Sequence, residues 1–346
     1  MTIKDIAKEC DCAVGTVSRV LNNHPDVSVQ MRTKVQSVVD KYGFELNTNA
    51  RLLKVQESKT LVVLVKGTSS ALLSSLLEKV QKRIEVLKYN TQIVILDEYD
   101  NEVQKAIRLC YEQKPVGLIF LGGTPEKYES DFKKITIPCV LISSQVFGNA
   151  CENLSSVSID NFEASRFSAE YLIKNGHTKI GVIGGSFEAS VLSKVRYDGF
   201  LSALKSAGID FDYETSYATA KYSYEGGAKA VMELLAKVPD LTAIYTMSDV
   251  MAVGACRQLV SINKKVPDDI SVIGFDGIPL AEYYCPKLTT VRQLQDELVE
   301  YGLDILLNAI ERKSKPVHKI VPFEFVQGES VKKIENNFSR IFFQYF

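Results

Sequence analysis

The first 45 residues space their apolar side chains for short helices, with no alternating stretch typical of a strand. Ile6, Ala7 and Cys10 share one face of a first helix, which the segment "DCA" interrupts. Ser28 is in position to cap a later helix and Gly43 to end it. Four residues between them repeat at helical spacing: Val35, Val38, Val39 and Tyr42. With one more helix between these two, the pattern predicts a helix-turn-helix head.

The middle helix, which begins at Val14, has an apolar arc and a polar arc. At 100° per residue, the apolar arc collects Val14, Val17, Val20 and Leu21. The polar arc collects Gly15, Ser18, Arg19 and Asn22. Short hydrogen-bonding side chains with one Arg reach base edges and phosphates, whereas an ordinary solvent face is richer in Glu and Lys. We therefore favour a DNA-binding face, and a plain surface helix stays open as the alternative.

From Leu61 onward, buried β-branched runs alternate with helical stretches in two series. The first has the strands "LVVLV", "QIVIL", "VGLIF" and "CVLIS", with helices at 72–87 and 103–111. The second has "VSI", "KIGVIGG", "AIYTM" and "ISVIGFD", with helices at 162–173, 196–204 and 252–260. Such alternation is typical of doubly wound α/β units with parallel sheets, so the sequence predicts two similar lobes.

Polar residues come directly after the strands of the second series. Asp160 ends "VSID", Ser248 and Asp249 follow "AIYTM", and Asp276 ends "ISVIGFD". Because ligands of such sheets sit beyond the carboxyl ends of the strands, we expect these residues to converge on one crevice. With Arg196 they offer charge-assisted hydrogen bonds to the vicinal hydroxyls of a polyhydroxylated ligand. Simpler roles stay open, with Asp249 capping the helix that starts there and Asp276 capping the turn "DGIP".

The composition is that of an ordinary soluble chain with several domains. Its 346 residues are 46% hydrophobic and 24% charged, with a formal net charge of -1. The seven scattered cysteines match neither a disulfide framework nor zinc-binding pairs, so we expect reduced thiols. The sequence shows neither a signal peptide nor a run of about 18 apolar residues, which predicts a cytoplasmic protein without membrane attachment.

Three motifs together resemble the DNA-binding head of the lactose-repressor family of bacterial transcription regulators. They are "TIKDIAK", "GTVSRVLNN" and the pattern "VS..MR.KV", and the likeness runs through the whole chain. It implies an α/β protein with a helix-turn-helix head, a hinge helix and a two-lobe periplasmic-binding-protein-like core. The implied bounds are 1–46 for the head, 47–59 for the hinge and linker, 60–332 for the core and 333–346 for an unassigned C-terminal tail. The first lobe is expected at about 60–158 plus 290–318, and the second at about 159–289 plus 319–332.

The resemblance also assigns DNA contacts. In the major groove it places Val14, Gly15 and Arg19 toward bases, and Thr16, Ser18 and Asn22 beside phosphates. In the hinge it places Leu53 in the minor groove, with Ala50 and Arg51 before it. The chain departs from the family at Ala13, where a capping Ser is usual, and at Leu46, where a Pro is usual. A plain interdomain linker stays open as the alternative for the hinge segment.

For the core, the resemblance implies a small-molecule effector of the sugar class, bound between the lobes. The candidate effector contacts are Ser70, Asp160, Arg196, Tyr222, Ser248 and Asp276, with Tyr222 positioned to stack on a sugar face. In the first lobe, "VKGTSSALLSS" stands where the family commonly has an aromatic-containing loop. Neither a cofactor nor a metal is expected.

These observations predict a homodimeric transcription regulator, with repression favoured over activation. Its affinity for double-stranded operator DNA would change when the effector alters the angle between the lobes. A sugar-processing enzyme is one alternative, but "GVIGG" lacks the dinucleotide fingerprint and a phosphate-loop lysine, and the three histidines lie far apart in sequence. A sugar-binding protein whose helical head makes protein contacts is the other, and the hinge pattern opposes it.

Overall fold

A computed structural model of the chain describes residues 2–21, 24, 26–43, 59–67, 70–97, 99–146 and 151–334. Its contacts divide the chain into two compact units, residues 1–57 and 58–346. The division falls inside the segment expected to hold the hinge and linker. The hinge candidates Ala50, Arg51 and Leu53 lie outside the described residues, and so does Asn22.

The head consists of three helices, α1 (Ile3–Glu9), α2 (Val14–Leu21) and α3 (Val29–Tyr42). Thr2 and Asp5 form a reciprocal capping box at the start of α1. The Ser28 hydroxyl accepts the Met31 N–H at 3.4 Å, and Gly43 ends α3 at a φ of 58°. Both predicted ends of α3 are confirmed. The physical reason is that Ser at the N-cap and Gly in a left-handed C-cap satisfy backbone groups that the helix itself leaves free.

The core of the head is small and entirely helical. Seven side chains are buried in it: Ile6, Ala7, Cys10, Val17, Val20, Val35 and Val39. The placement of Val14 on the packed arc of α2 is wrong, since its side chain is 42% exposed. Val17 and Val20 mark the centre of the buried arc, and Val14 lies about 60° from Val17 on the side away from Val20.

The first lobe of the core is built on a six-stranded parallel sheet. Its strands are β1 (Thr60–Lys66), β2 (Asn90–Leu96), β3 (Gly117–Leu121), β4 (Cys139–Ile142), β5 (Leu154–Ile159) and, late in the chain, β11 (His318–Val321), in the order β11-β5-β4-β3-β1-β2. Its helices are α4 (Ala71–Val86), α5 (Glu102–Gln113) and the short α6 (Glu129–Phe132), which comes after a 3₁₀ turn at Pro125–Tyr128. Every residue of β3, β4 and β5 is buried, as expected for strands covered on both faces.

The second lobe repeats this plan with one antiparallel strand at its edge. Its strands are β6 (Ile180–Gly184), β7 (Tyr217–Thr219), β8 (Ala243–Thr246), β9 (Ser271–Asp276), β10 (Thr289–Gln293) and β12 (Phe323–Val326), in the order β12-β10-β9-β8-β6-β7. Its helices are α7 (Asn161–Lys174), α8 (Val191–Ser206), α9 (Tyr213–Ser216), α10 (Tyr224–Lys237), α11 (Asp249–Ser261) and α12 (Pro279–Tyr283). Among the described strands, only β12 runs antiparallel, against β10.

The chain crosses between the lobes three times. It leaves the first sheet after Ile159, returns after Gln293 to form α13 (Gln295–Arg312), and crosses again at Pro322 between β11 and β12. α13 belongs to the first lobe, because it packs on β4, β5 and α4.

Two of the expected lobe boundaries therefore move. The return near Thr290 is placed too early, since residues 289–292 pair with β9 in the second sheet. The second lobe is expected to resume at 319, but residues 318–321 pair with β5 in the first sheet. Both errors arise because short late strands complete sheets that are otherwise built from distant parts of the chain.

All eight strands predicted for the two lobes are present, and four of the five predicted helices lie within observed ones, while the helix predicted at 72–87 extends one residue past the end of α4. The doubly wound parallel architecture is confirmed. The predictions omit the helices α10 and α13, the short helices α6, α9 and α12, and the short strands β7, β10, β11 and β12. Within the described part of the chain, no helix combines the length and the apolar character needed to cross a membrane.

Candidate functional site

In the head, α2 turns a mixed face to solvent. Val14, Gly15 and Arg19 are exposed, and Thr16 and Ser18 are half-buried. At 100° per residue, Val14, Ser18, Gly15 and Arg19 succeed one another around a continuous arc. This arc presents a valine methyl, bare backbone, a hydroxyl and a guanidinium on one surface, which is a donor and contact set suited to a nucleic-acid groove.

The start of α2 departs from the usual capping arrangement. The Ala13 carbonyl accepts the N–H groups of Thr16 at 2.8 Å and Val17 at 3.3 Å, while its side chain has no acceptor. The preceding turn places Asp11 at a φ of 46°, and the Cys12 N–H donates to the Ala7 carbonyl. A Cβ added to Gly15 would meet no atom within 4 Å, so its bare backbone is open to a large partner. The departure from the family at Ala13 therefore lies at the surface, and the other departure, Leu46, lies outside the described residues.

In the core, a cavity of about 350 Å³ lies between the two lobes. Residues at the carboxyl ends of strands line it from both sheets, as the topology of parallel α/β sheets favours. From the first lobe these include Lys66 at the end of β1 and Gly67 after it, Gly122 and Gly123 after β3, and Ser143 and Ser144 after β4. From the second lobe they include Gly185 after β6, Thr219 at the end of β7 and Asp276 at the end of β9.

The structure brings four of the six candidate effector contacts to this cavity: Ser70, Arg196, Tyr222 and Asp276. Asp160 and Ser248 are absent from its lining and cap helices instead. The Asp160 carboxylate accepts the Glu163 N–H at 3.0 Å, and the Ser248 hydroxyl accepts the Met251 N–H at 3.3 Å. The expected convergence of strand ends on one crevice therefore holds for Asp276 but not for these two residues.

Arg196 lies buried on the second-lobe side of the cavity and is held in one orientation. Its Nε donates to Asn161 Oδ1 at 3.0 Å, and its Nη1 donates to the Met247 carbonyl at 2.6 Å. The guanidinium stacks 3.8 Å from the centre of the Phe275 ring, and Nη2 lies 3.7 Å from Asp276 Oδ1. A guanidinium with five donors fixed in this way is preorganised to bind hydroxyl oxygens.

Asp276 is buried beside Arg196 at the end of β9. Its Oδ1 accepts the amide of Gln293 at 2.9 Å, and its backbone adopts a φ of 112°, which is unusual for a residue other than glycine. Burial raises the pKa of Asp276 to about 6, and the Arg196 charge opposes this rise. A strained backbone and a raised pKa are typical of a carboxylate in a functional site, so we interpret Asp276 as more than the cap of a turn.

Asp249 does not cap its own helix, which corrects the simpler role considered for it. Its carboxylate accepts the Thr290 hydroxyl at 2.6 Å and the Ile278 N–H at 2.8 Å. Burial and the neighbouring Asp276 raise the pKa of Asp249 to about 8. Asp249 therefore ties the turn after β9 to β10, behind the wall that carries Asp276.

Tyr222 forms part of the second-lobe wall. Its hydroxyl lies 2.9 Å from the Ser193 hydroxyl. A Cβ at Gly185 would approach Ser193 Oγ to 2.6 Å and Tyr222 Cε2 to 2.8 Å. Only glycine at position 185 allows the tyrosine ring to lie this close to the end of β6.

The first-lobe wall carries charged and aromatic residues that the sequence reasoning missed. Lys66 Nζ forms a buried ion pair with Glu102 Oε2 at 2.7 Å, and Glu102 Oε1 accepts the Thr124 N–H at 2.7 Å. Tyr99 also lines the cavity, together with Asp97. All lie after or opposite strand ends, so the strand-end rule applied to the first series would have found Lys66, Asp97 and Tyr99.

Two contacts connect the lobes, and the residues of the first one line the cavity. The Lys221 ammonium of the second lobe lies 5.1 Å from the centre of the Tyr99 ring of the first. The Lys127 ammonium of the first lobe donates to the Glu188 carbonyl of the second at 2.5 Å. The lobes therefore face each other across the cavity at close range, and a ligand held there can touch both.

Known proteins match both parts of the chain. Residues 2–47 match the bacterial regulatory proteins of the lacI family, and residues 169–331 match the periplasmic binding protein-like domain. The HTH-type transcriptional regulator MalR of Clostridium butyricum is 34% identical over 334 residues, which make up 95% of this chain and 99% of MalR. The chain belongs to the lacI family of bacterial regulatory proteins.

Solved structures agree with this lacI-family fold. A transcriptional regulator CelR–cellobiose complex superposes with a TM-score of 0.71 at 24% identity, over 95% of this chain and 99% of the other. The lac repressor dimer bound to operator and the anti-inducer ONPF gives 0.71 at 23% identity, over 96% and 99%. The head and the two-lobe core thus occur together in known regulators, and this lacI-family protein is a DNA-binding transcription regulator rather than an enzyme.

Proposed function

We propose that this lacI-family regulator is a cytoplasmic homodimer that acts as a repressor and binds operator DNA through α2. We further propose that a polyhydroxylated small molecule of the sugar class binds between the lobes and sets the operator affinity. The observation that carries this proposal is the cavity lined from both lobes, with the anchored Arg196 and the buried Asp276 on its second-lobe side.

The arrangement of the cavity favours a neutral, hydroxyl-rich ligand. The buried cations Lys66 and Arg196 each have a carboxylate partner, Glu102 and Asp276. A ligand hydroxyl donates to a carboxylate and accepts from a guanidinium at the same time, so such pairs bind vicinal hydroxyls without an excess charge to neutralise. CelR, which shares the fold, was solved with cellobiose.

Control of DNA binding depends on the position of the cavity. A ligand that contacts both walls binds the core more tightly at one angle between the lobes than at another. The difference between these two binding free energies is the free energy available to change the operator affinity. We assign the sensing role to Ser70, Arg196, Tyr222 and Asp276. Asp160 and Ser248 would act only by capping helices.

For the DNA interface we assign base contacts to Val14, Gly15 and Arg19, and phosphate contacts to Thr16, Ser18 and Asn22. Ala50, Arg51 and Leu53 stay assigned to the minor groove. The support is the exposed arc of α2 together with the match of residues 2–47 to the lacI family.

The DNA role is tested by gel-shift titration of the purified chain against the promoter DNA of its own gene. Arg19→Ala is expected to abolish the shift, while Arg108→Ala, an exposed arginine of α5, leaves it unchanged. Binding is expected to weaken steeply as salt is raised, because phosphate contacts release counterions. A salt-independent shift, or a shift retained by Arg19→Ala, would contradict the assigned face.

The effector role is tested by a thermal-shift screen of sugars, sugar phosphates and nucleobases. A ligand that binds only the folded chain raises the melting temperature as its concentration exceeds Kd. The proposal predicts a shift with a neutral sugar that Arg196→Lys abolishes while operator binding remains. A response to nucleobases alone would refute the sugar class, and an unchanged sugar response in Arg196→Lys would refute the assigned cavity.

A further inference from the structure

Four aromatic side chains form a partly exposed patch at one edge of the second lobe, here called the aromatic edge patch. They are Phe167 and Tyr171 of α7 and Phe323 and Phe325 of β12. The Phe325 ring lies 5.0 Å from Phe167 and 4.7 Å from Tyr171, and Phe167 lies 6.5 Å from Phe323. Phe167, at the centre of these contacts, is 44% exposed. The other three rings are partly buried against the core of the second lobe, so the apolar surface open to water here is centred on Phe167.

The strand beneath the patch is an unpaired edge. β12 is the last strand in the order of the second sheet, and among the described residues only β10 pairs with it. Phe323 and Phe325 lie on the face toward α7, whereas Glu324 lies on the other face and pairs with Arg292 at 3.1 Å. The edge thus offers free backbone groups beside an apolar face, which favours an extended apolar segment as occupant.

The last described residue of the chain lies beside this patch. The Ile334 N–H donates to the Asn175 carbonyl at 2.9 Å, at the end of α7. The Asn175 amide in turn donates to the Tyr171 carbonyl at 2.8 Å, one helical turn back. Lys332 is held to Ser271 by a hydrogen bond of 3.0 Å. The exit point of the chain is therefore fixed within one turn of the patch.

The twelve residues after Ile334 have the composition of an apolar partner. Residues 335–346 read "ENNFSRIFFQYF" and hold six large apolar side chains: Phe338, Ile341, Phe342, Phe343, Tyr345 and Phe346. An extended chain spans about 3.3 Å per residue, so Phe338 reaches about 13 Å from Ile334. Phe167 lies eight residues along α7 from Asn175, a rise of about 12 Å. The first aromatic residue of the segment can therefore reach the centre of the patch.

We propose that residues 335–346 dock on the aromatic edge patch of their own chain, along α7 and the free edge of β12. The short connection through Ile334 gives the segment a high effective concentration at the patch, which favours this occupant over a second copy. Docking would cover the exposed ring of Phe167 and pair the open edge of the sheet.

Hydrogen exchange monitored by mass spectrometry tests the proposal on the full chain and on four variants. The variants are a truncation after Ile334, Phe342→Ser within the segment, Phe167→Ser in the patch, and Tyr111→Ser as a control at an 87% exposed aromatic residue of α5. Removing the segment is expected to speed amide exchange in 163–171 and 323–326 about tenfold or more, because docked backbone is protected from water. Phe342→Ser and Phe167→Ser should each release residues 335–346, and Tyr111→Ser should leave them protected.

Two results would overturn the proposal. In the first, residues 335–346 exchange at the rate of an unstructured peptide in the full chain. In the second, the protection of these residues grows with protein concentration, and light scattering shows that the truncated chain forms a smaller assembly than the full chain. This result would mean that the segment docks on a second copy of the chain. Phe342→Ser changes no residue of the folded core, so loss of protection in this variant cannot come from misfolding.

Discussion

Asp276→Asn is expected to remove the pH dependence that Asp276 gives to the stability of the core, while impairing the response of the core to effector. Burial raises the pKa of Asp276 from an ordinary 3.8 to about 6, so the folded state holds the proton more tightly than the unfolded state. The contribution of Asp276 to the free energy of unfolding is therefore greatest at acid pH and falls as the pH rises from about 4 through about 6. At about 1.36 kcal/mol per pKa unit, the ionised carboxylate costs about 3 kcal/mol at pH 8. Since Asp276 is only 5% exposed, solvent screening removes little of this cost.

Urea unfolding of the core at pH 4.5, 6 and 8, monitored by far-ultraviolet circular dichroism, measures this cost. The free energy of unfolding of the variant should increase relative to that of the parent chain as the pH rises. The pH dependence that remains in the variant should come from Asp249, whose pKa is raised to about 8. Sugar binding to the parent should tighten as the pH rises through about 6, because the ionised carboxylate accepts hydroxyl protons, and the variant should lose this dependence. Equal pH slopes for variant and parent would refute the electrostatic account of the site.

Three further predictions concern the head and the first lobe. Gly15→Ala should raise the melting temperature of the head, since alanine favours a helix by about 1 kcal/mol and meets no atom within 4 Å, yet weaken operator binding in a gel shift. Unchanged affinity would mean that position 15 does not face DNA. Val17→Ala should destabilise the head by about 2 kcal/mol in thermal melts, because Val17 is fully buried, whereas Val14→Ala changes it by less than about 0.5 kcal/mol. Glu102→Gln should lower core stability by about 3 to 5 kcal/mol in urea, since Lys66 keeps a buried charge without its partner. A loss below about 1 kcal/mol would show that water reaches Lys66.

The fold class was predictable because the sheets are built from fully buried β-branched runs. Strands such as β3, with every residue buried, show a continuous apolar pattern that no surface helix produces. The strands β11 and β12 span four residues each and are partly exposed, so "HKIV" and "FEFV" carry no such pattern. β11 joins the first sheet by pairing with β5, more than a hundred residues earlier in the chain, and β12 joins the second sheet by pairing with the late strand β10. The four residues of each strand do not encode that choice.

The helix α10 was missed because the pair Gly226-Gly227 reads as a turn in the sequence. In the structure, a Cβ at Gly227 would collide with the Met251 carbonyl, and one at Gly254 with the Tyr224 carbonyl. These glycines allow α10 and α11 to approach each other closely. A glycine that serves packing between helices is indistinguishable from a helix breaker until its partner is known.

The site predictions divide according to the element that succeeds each strand. Asp160 and Ser248 immediately precede the first residues of α7 and α11, so their side chains turn back to the free N–H groups of those helices. Asp276 precedes a turn, with α12 beginning only at Pro279, so its carboxylate is available to the cavity. The strand-end rule locates the correct edge of the sheet, and for these three residues the position of the next helix start decides which side chain faces the cavity. Ser70, which caps α4 and also lines the cavity, does not obey this division.

The three crossings between the lobes also constrain the order in which the parts of the chain can fold during synthesis. The helical head needs only residues up to Gly43, so it can fold while the rest is still being made. The first sheet stays incomplete after β5 until α13 and β11 are synthesised, roughly 160 residues later. At 5 to 20 residues per second, that wait lasts about 10 to 30 s. The nascent first lobe therefore keeps apolar surface uncovered while the second lobe is synthesised, which exposes it to aggregation during that time.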